Sequence, residues 1–349
     1  MAHIYKMEVL WSEKYKPDSF SKLSFNSETN GQLQALTCNS DMPHLIIYGP
    51  EGSGKRTRVG CLLSQIYGKK LVTRKDVWTT KNNSTIVELT TVSSNHHTEL
   101  TPSDAENNDR LALTKIIKDT ASNEGLTDAK RGKFFTFVLH DGENMTHAAQ
   151  AALRRTLEKY SAKIRVIIVC QSIGKIIPAI KSRCLLVRVQ APSNEQVRDA
   201  LEQVAAREKV QDARAVLDTI AQASDGNLRK ALLDLQAYHL TKNSAPKSFT
   251  ESWKLAVREG VIEPLRRQQT PETVRAVRAV FYDLLTNQVS GDEIVREMVF
   301  GLLDHLDDAG RVKALQIGAS IDAMMKQGER EVIFLESLLV KLMLLVKNK

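Results

Sequence analysis

An apolar run, a glycine-rich loop and a helical pattern follow one another early in the sequence. Residues 45–48 (LIIY) predict a buried parallel strand, and residues 49–56 (GPEGSGKR) match the phosphate-binding motif GxxxxGK up to its lysine, Lys55. Apolar residues then recur at helical spacing until Gly68. Where a strand, a glycine-rich loop and a helix follow one another, the N–H groups of the loop and the lysine amine bind phosphates at the start of the helix. The sequence therefore predicts a nucleotide site in a parallel α/β domain.

The residue after Lys55 departs from the motif. Active ATPases of this type place Ser or Thr there, and its hydroxyl group binds Mg²⁺. This chain has Arg56, a cation where a metal ligand belongs. The bound nucleotide, ADP or ATP, would then be a static ligand, with Mg²⁺ weak or absent and with hydrolysis impaired. The loop residues predicted to contact nucleotide are Gly49, Gly52, Ser53, Gly54, Lys55 and Arg56.

A second departure follows the predicted strand 134–139 (FFTFVL). P-loop ATPases of this type end such a strand with adjacent Asp and Glu, which order Mg²⁺ and the attacking water. Here the strand is followed by His140 and Asp141, and a shift by one residue places Gly142 at the position of the Glu. Neither alignment restores the acidic pair, so His140 and Asp141 form a degenerate version of it. The alternative is a single chance substitution in a working ATPase.

Composition favours an intracellular protein with more than one domain. A chain of 349 residues exceeds what one core usually serves, and a net charge of +8 favours a polyanionic partner, although most surface lysines are simply solvated. The four cysteines show no metal-binding spacing, so we predict reduced thiols and no metal site. The apolar stretch 332–346 contains Glu336 and Lys341, which predicts a core helix and no membrane span.

Three segments of the chain differ in their pattern. In residues 1–190, helical patterns alternate with short apolar strands, which predicts a doubly wound parallel sheet. Residues 191–245 predict a small helical domain, with Ser193 as the N-cap of its first helix, and residues 246–349 predict an all-helical domain. The predicted strands are 45–48, 86–89, 134–139, 164–170 and 185–189.

Six motifs occur in a fixed order along the chain. Besides the P-loop they are 11–17 (WSEKYKP), 102–110 (PSDAENNDR), 152–160 (ALRRTLEKY), 181–184 (KSRC) and 225–232 (DGNLRKAL). With these motifs, the chain resembles replication factor C small subunits, the subunits of the eukaryotic clamp loader. It is similar in particular to the type with a degenerate ATP site at the end of the pentamer.

The resemblance implies an AAA+ α/β nucleotide-binding domain (1–190), a helical lid (191–245) and a helical oligomerisation collar (246–349). It implies a nuclear protein of DNA replication and repair that works with four other subunits in a hetero-pentamer. Such a complex opens a ring-shaped sliding clamp of the PCNA type and loads it on primer–template DNA. The alternatives are an AAA+ subunit that hydrolyses ATP in its own right, and a scaffold that binds neither nucleotide nor DNA.

The resemblance also implies roles for single residues outside the loop. Arg183 would be an arginine finger in trans, because a planar cation stabilises charge on the transferring phosphoryl group of a neighbour's ATP. Arg229 would be a lid arginine on a nucleotide phosphate, and Gln171 stands where the family usually has Asn. Tyr15 and Pro17 would lie near the adenine. From spacing alone, Arg183 and Arg229 would be ordinary surface arginines.

Basic residues on two predicted helices are candidates for DNA contact. Along 148–160, residues at helical spacing build a buried face, so Arg154 and Arg155 project elsewhere. In clamp loaders the inner face of the subunit spiral follows the DNA backbone, and Lys115 and Lys118 are also candidates for that face. Such phosphate contacts position a protein without reading sequence and weaken with salt. The alternatives are a solvated basic face and, for the arginines, pairing between subunits.

The segment 93–100 is a candidate for contact with the clamp. It contains the pair His96 and His97, which has no third ligand nearby in the sequence. We therefore expect exposed loop residues at this pair.

Overall fold

The structure is a computed structural model that describes residues 9–38, 42–68, 73–82, 85–122, 134–210, 213–240, 252–325, 328 and 330–347. The chain forms two compact units, Met1–Lys247 and Ser248–Lys349. The segment 191–245, predicted as a lid, belongs to the first unit, and nearly all of the predicted collar belongs to the second.

Among the described residues, a seven-stranded sheet forms the centre of the first unit. Its spatial order is β2-β3-β4-β5-β6-β1-β7, and the five strands from β4 to β7 in this order pair in parallel. The mostly parallel α/β sheet predicted from the sequence is therefore confirmed. In chain order the strands are β1 Leu45–Tyr48, β2 Arg74–Asn82, β3 Thr85–Ser93, β4 His97–Leu100, β5 Phe135–Leu139, β6 Ile164–Cys170 and β7 Leu185–Arg188.

One edge of the sheet differs from the prediction. β2 and β3 pair antiparallel, and β3 pairs antiparallel with β4, so the sheet is not parallel throughout. The predicted strand 86–89 is part of the longer β3, whereas β2 and β4 were not predicted. Their sequences, RKDVWTTKN and HTEL, mix polar and apolar residues. Because β2 lies at the sheet edge, it lacks the continuous apolar run of a fully buried strand.

Helices cover both faces of the central strands. The helices of the first unit are α1 Trp11–Lys14, α2 Ser27–Cys38, α3 Lys55–Tyr67, α4 Asp109–Ser122, α5 His147–Lys159, α6 Pro178–Lys181, α7 Asn194–Glu208, α8 Ala213–Ala223 and α9 Leu228–Leu240. Leu45 and Ile47 of β1 face the core shared with α2 and α3, and Ile46 faces the core shared with α4 and α5. Because both faces are covered, such strands are apolar at nearly every position.

The first helix after the sheet begins where the sequence predicts. Ser193 Oγ accepts a hydrogen bond from the N–H of Gln196 (3.3 Å), and Gln196 Oε1 accepts one from the N–H of Ser193 (3.1 Å). This capping box satisfies two N–H groups that have no partner within the helix. The prediction of Ser193 as the N-cap of α7 is confirmed.

The N-terminal motif is bound to the helices that follow the sheet. The N–H of the buried Trp11 donates to Gln236 Oε1 on α9 (2.9 Å). Lys14 Nζ lies 2.5 Å from Glu208 Oε1 at the end of α7, and the Tyr15 hydroxyl hydrogen-bonds to the same carboxylate. This segment therefore links the start of the chain to the helices of the predicted lid.

All the secondary structure among the described residues of the second unit is helical. Its core contains Val277, Phe281, Leu338 and Leu342, which are fully buried. No helix in the described part of the chain is both long and apolar enough to cross a membrane. The helices are α10 Ser252–Val257, α11 Glu263–Arg267, α12 Pro271–Thr286, α13 Gly291–Leu303, α14 Asp308–Met325 and α15 Glu331–Lys347, with a π-helical turn at Arg258–Ile262 between α10 and α11.

Candidate nucleotide-binding site

A cleft of about 1540 Å³ lies in the first unit, between the P-loop, the N-terminal segment, the ends of β4, β5 and β6, and helices α7 and α9. Most residues predicted to form the nucleotide site meet there. Two predicted loop residues, Gly49 and Ser53, do not line it, and neither do Arg183, Arg154, Arg155, Lys115 and Lys118. The predicted residues that line the cleft are Tyr15, Pro17, Gly52, Gly54, Lys55, Arg56, His140, Asp141, Gln171 and Arg229.

The P-loop lies close to the start of α9. Gly52 has a φ of +69°, and a Cβ atom built on it would lie 1.9 Å from Asn227 Oδ1. Only glycine allows both this left-handed backbone and this approach. Because Arg229 follows two residues later, the loop glycine brings α9 within reach of the phosphate site. Arg229 Nη1 lies 3.9 Å from Glu51 Oε1 in the loop itself.

Lys55 is nearly buried at the start of α3. Its Nζ donates to the carbonyl oxygens of Gly49 and Pro50, each at 2.7 Å, and the hydroxyl of Ser53 also donates to Pro50 O (2.8 Å). Burial lowers the pKa of the Lys55 amine, although the nearby carboxylate of Glu143 opposes this effect. The amine is thus held over the mouth of the loop, where phosphates bind at a helix N-terminus.

Arg56 forms an ion pair with Asp141. Their Nη2 and Oδ2 atoms are 2.9 Å apart, and both side chains are partly exposed. The pair contributes little to stability, since exposed ion pairs are worth about 0–1 kcal/mol. Its effect on the site is larger, because it pairs the Asp141 carboxylate with a cation that stands at the position of the missing hydroxyl ligand. The residues present therefore do not fit Mg²⁺.

His140 is directed to β4. Its Nε2 lies 2.8 Å from Glu99 Oε2, and His97 Nε2 lies 3.5 Å from Glu99 Oε1. Burial raises the pKa of Glu99, but hydrogen bonds from His140 and His97 and their charges outweigh it and lower the pKa to about 2. Glu99 therefore stays ionised and binds the two imidazoles. Within the described ranges, no group of three or more His, Cys, Asp and Glu residues could hold a metal ion.

The prediction of exposed loop residues was wrong for His97, whereas His96 lies in the loop before β4 but is not exposed. His97 lies in β4 and is 1% exposed, with its Nδ1 2.6 Å from Ser94 Oγ. His96 is half-buried, and its ring stacks on Tyr67 with 5.0 Å between centroids. These histidines pack against the fold because β4 inserts between β3 and β5. The polar sequence of β4 did not predict a strand.

Glu143 is a site residue that the sequence reasoning missed. A 3-10 turn at Gly142–Asn144 follows β5 and directs the Glu143 side chain to the end of β6, where Oε1 accepts the N–H of Gln171 (3.0 Å). Its Oε2 is buried and has no hydrogen-bond partner in the described part of the chain. A Cβ on the preceding Gly142 would lie 2.4 Å from the Ile168 side chain, so no Glu fits there. The sequence signal that could have identified Glu143 is an acidic residue two positions after Asp141, just beyond the degenerate pair.

Arg183 lies outside the cleft, between α6 and β7. Its Nη2 is 2.5 Å from Glu158 Oε1 on α5, and Nη1 donates to Ala179 O (2.8 Å). About a third of its side chain is exposed. Glu158 also pairs with Arg154 Nε at 3.5 Å.

The four candidates for DNA contact lie on adjacent helices. Arg154 and Arg155 are exposed on α5, as predicted from its helical spacing. Lys115 and Lys118 are exposed on α4, which packs against α5. Apart from the Arg154 pair with Glu158, none of the ion pairs formed by the described residues involves either arginine. Two adjacent helices therefore both carry exposed basic groups.

A P-loop between the first strand and a helix of a mostly parallel sheet, followed by a helical segment that touches the loop, is the arrangement of an AAA+ domain. Three family descriptions match successive parts of the chain. They are "DNA polymerase III, delta subunit" (26–193), "RCF1/5-like, AAA+ ATPase lid domain" (199–240) and "Replication factor C subunit 3, C-terminal domain" (253–349). The AAA+ domain, the lid and the all-helical C-terminal domain predicted from the sequence are confirmed.

Similarity to known proteins extends over nearly the whole chain. Replication factor C subunit 5 of Saccharomyces cerevisiae is 37% identical, and the match covers 96% of this chain and 98% of the relative. Replication factor C subunit 3 of Arabidopsis thaliana is 36% identical (97% and 98% covered), and that of Homo sapiens is 35% identical (97% and 96%). This chain belongs to the replication factor C subunit family, which confirms the resemblance given by the six motifs.

Solved structures agree with this fold. RuvB of Thermotoga maritima, a Holliday junction branch migration motor, matches with a TM-score of 0.50 and 14% identity. The match covers 78% of this chain and 88% of that protein. At this identity the likeness concerns the fold alone.

Proposed function

We propose that this chain is a subunit of a hetero-pentameric clamp loader, which opens a ring-shaped clamp of the PCNA type and loads it on primer–template DNA in the nucleus. Its own site holds ADP or ATP with little or no hydrolysis, and its Arg183 acts in a neighbour's site. The observation that carries the inert-site part of this proposal is the ion pair between Arg56 of the P-loop and Asp141, which follows β5. Membership in the replication factor C subunit family supports the assembly with other subunits.

The cleft suits the nucleotide part by part. The N–H groups at Gly52, Gly54 and Lys55 hold phosphates at the N-terminus of α3, a helix of 13 residues. Arg229 approaches the same phosphates from α9. Tyr15 lines the cleft at the N-terminal segment, where the adenine would lie.

The trans role of Arg183 is supported by its placement. The side chain lies away from the chain's own cleft, and its ion pair with Glu158 is half exposed. Such a pair is worth about 0–1 kcal/mol, so a phosphate on a neighbouring subunit can displace it at little cost. The neighbour's nucleotide then gains a planar, permanently charged donor.

Nucleotide binding without metal tests the inert-site part. We expect the purified chain to bind ADP equally well in Mg²⁺ and in EDTA, within about threefold, because Arg56 stands where the hydroxyl ligand of Mg²⁺ would lie. Dissociation constants from a fluorescent ADP analogue check this. The double variant Arg56→Thr/His140→Asp supplies the missing hydroxyl and carboxylate, and Mg²⁺ should tighten its binding about tenfold or more.

Two controls complete that experiment. Lys55→Ala removes the phosphate-binding amine and should weaken ADP in both buffers. A tenfold gain in affinity on adding Mg²⁺ to the unmodified chain would refute the inert site, and steady ATP turnover by the chain alone would favour an ATPase in its own right.

Charge removal on α5 tests the DNA part. We expect the complex with Arg154→Ala/Arg155→Ala to bind primer–template DNA less tightly at every sequence, with the slope of log K against log[salt] reduced by about one per lost phosphate contact. Titrations at several salt concentrations measure this slope. Arg198→Ala, an exposed arginine on α7, is the matched control. An unchanged slope in the double variant would mean that the two arginines do not contact DNA phosphates and belong to a solvated face.

A further inference from the structure

Arg58 is the largest fully buried side chain among the described residues, with 0% exposure. Its guanidinium donates only to neutral oxygens. Nε donates to Asn30 Oδ1 (2.9 Å), and Nη2 donates to Phe25 O (3.0 Å). Nη1 donates to Ser53 O (2.9 Å) and to Gly54 O (3.4 Å). The guanidinium carbon also lies 4.8 Å from the centre of the Phe25 ring.

This buried cation has no acidic partner. Among the described residues, no carboxylate forms an ion pair with Arg58, and the nearby Cys61 is a neutral thiol because burial raises its pKa to about 11. Burial lowers the pKa of Arg58 to about 10, so the group keeps its charge at neutral pH. A buried charge without a counter-ion is costly, and proteins normally pair such groups or use them to bind an ion.

Two of the acceptors of Arg58 belong to the P-loop. The carbonyl of Ser53 and the N–H of Gly54 are parts of one peptide, as are the carbonyl of Gly54 and the N–H of Lys55. In a trans peptide these groups point in opposite directions, and none of the peptide bonds in the described ranges is cis. By holding the two carbonyls behind the loop, Arg58 turns the two N–H groups toward the other side, where phosphates bind.

We propose that Arg58 is a positioning residue for the phosphates of the bound nucleotide, and that these phosphates are the counter-charge that the protein itself does not provide. The inference rests on the nucleotide binding proposed above. It differs from the roles of Lys55 and Arg56, since Arg58 acts through the loop and does not touch the ligand. The charge of the ligand, and not its base, then determines how much binding depends on Arg58.

Two variants of Arg58 separate charge from geometry. Arg58→Lys keeps the charge but lacks the planar fork that holds Asn30, Phe25 and the loop carbonyls together, and Arg58→Gln removes the charge. We expect ADP affinity to fall about tenfold or more in Arg58→Gln and by an intermediate amount in Arg58→Lys. The affinity for AMP, which has one phosphate fewer, should fall by a smaller factor than the affinity for ADP. Dissociation constants for both nucleotides are measured in EDTA, and Arg198→Gln removes one exposed charge as the matched control.

The melting temperatures of the same variants are also measured without nucleotide. A role limited to folding would lower the melting temperature and leave the ADP dissociation constant of the folded protein unchanged, which would overturn the proposal. An Arg58→Lys variant that binds as weakly as Arg58→Gln would overturn the counter-charge. If Arg58→Gln does not fold, Arg58→Lys decides, because unchanged ADP affinity there excludes positioning. Failure of the unmodified chain to bind ADP would instead refute the proposed nucleotide site, and with it this inference.

Discussion

Arg183→Ala in the reconstituted pentamer should abolish ATP turnover at one neighbouring site, by about 10³-fold or more. The reason is that the transition state of phosphoryl transfer spreads negative charge over the equatorial oxygens, and a guanidinium is a rigid donor for it. Arg183 is available for this role, since its partner Glu158 is half exposed and the side chain lies outside its own cleft. Turnover is measured with DNA and clamp present.

Lys55→Ala in the same complex gives the opposite expectation. Because we propose that this chain's own site does not hydrolyse ATP, loss of its phosphate-binding lysine should leave total turnover nearly intact. Glu158→Ala is the matched control for Arg183, since it removes the ion pair and keeps the arginine. We expect turnover close to normal in that variant. If Lys55→Ala stopped turnover and Arg183→Ala did nothing, the chain would be a working ATPase.

The sequence predicted the elements whose pattern is local. β1, β5 and β6 are apolar runs because helices cover both of their faces, β7 is a short apolar run at the sheet edge, and the capping box at Ser193 lies within four residues. β2 and β4 escaped prediction because an edge strand and a short strand of mixed polarity carry no such run. The antiparallel edge could not be derived from the alternation of strands and helices, which predicts parallel pairing alone.

The candidate site was predictable where its residues are consecutive. The P-loop and the degenerate acidic pair stand in the sequence, whereas the contacts that define their state join distant positions, such as Arg56 with Asp141 and Glu99 with His140. Arg58 was missed although a signal existed. It lies four residues before the buried Leu62, so it shares the buried face of α3, where a charged side chain needs a reason.

Gly49→Ala should destabilise the first unit by about 4 kcal/mol or more, a loss found only for severe defects. A Cβ on Gly49 would lie 2.0 Å from the carbonyl oxygen of Val189, which is backbone and cannot rotate away. Gly49 also has a φ of +153°, which L side chains rarely adopt. The contact lies just past the ends of β1 and β7, where the N–H of Val189 donates to Tyr48 O (2.8 Å). The added methyl group must therefore separate two paired strands.

Gly60→Ala is the matched control within the same loop–helix element. Gly60 lies inside α3, and a Cβ there meets nothing within 4 Å. Alanine has a helix propensity about 1 kcal/mol more favourable than glycine, so this variant should melt at or above the temperature of the unmodified chain. In calorimetry, Gly49→Ala should lower the transition of the first unit by about 8 °C or more. Equal melting temperatures of the two variants would mean that the close contact between the P-loop and the ends of β1 and β7 does not limit stability. The loop's first glycine would then serve the ligand and not the sheet.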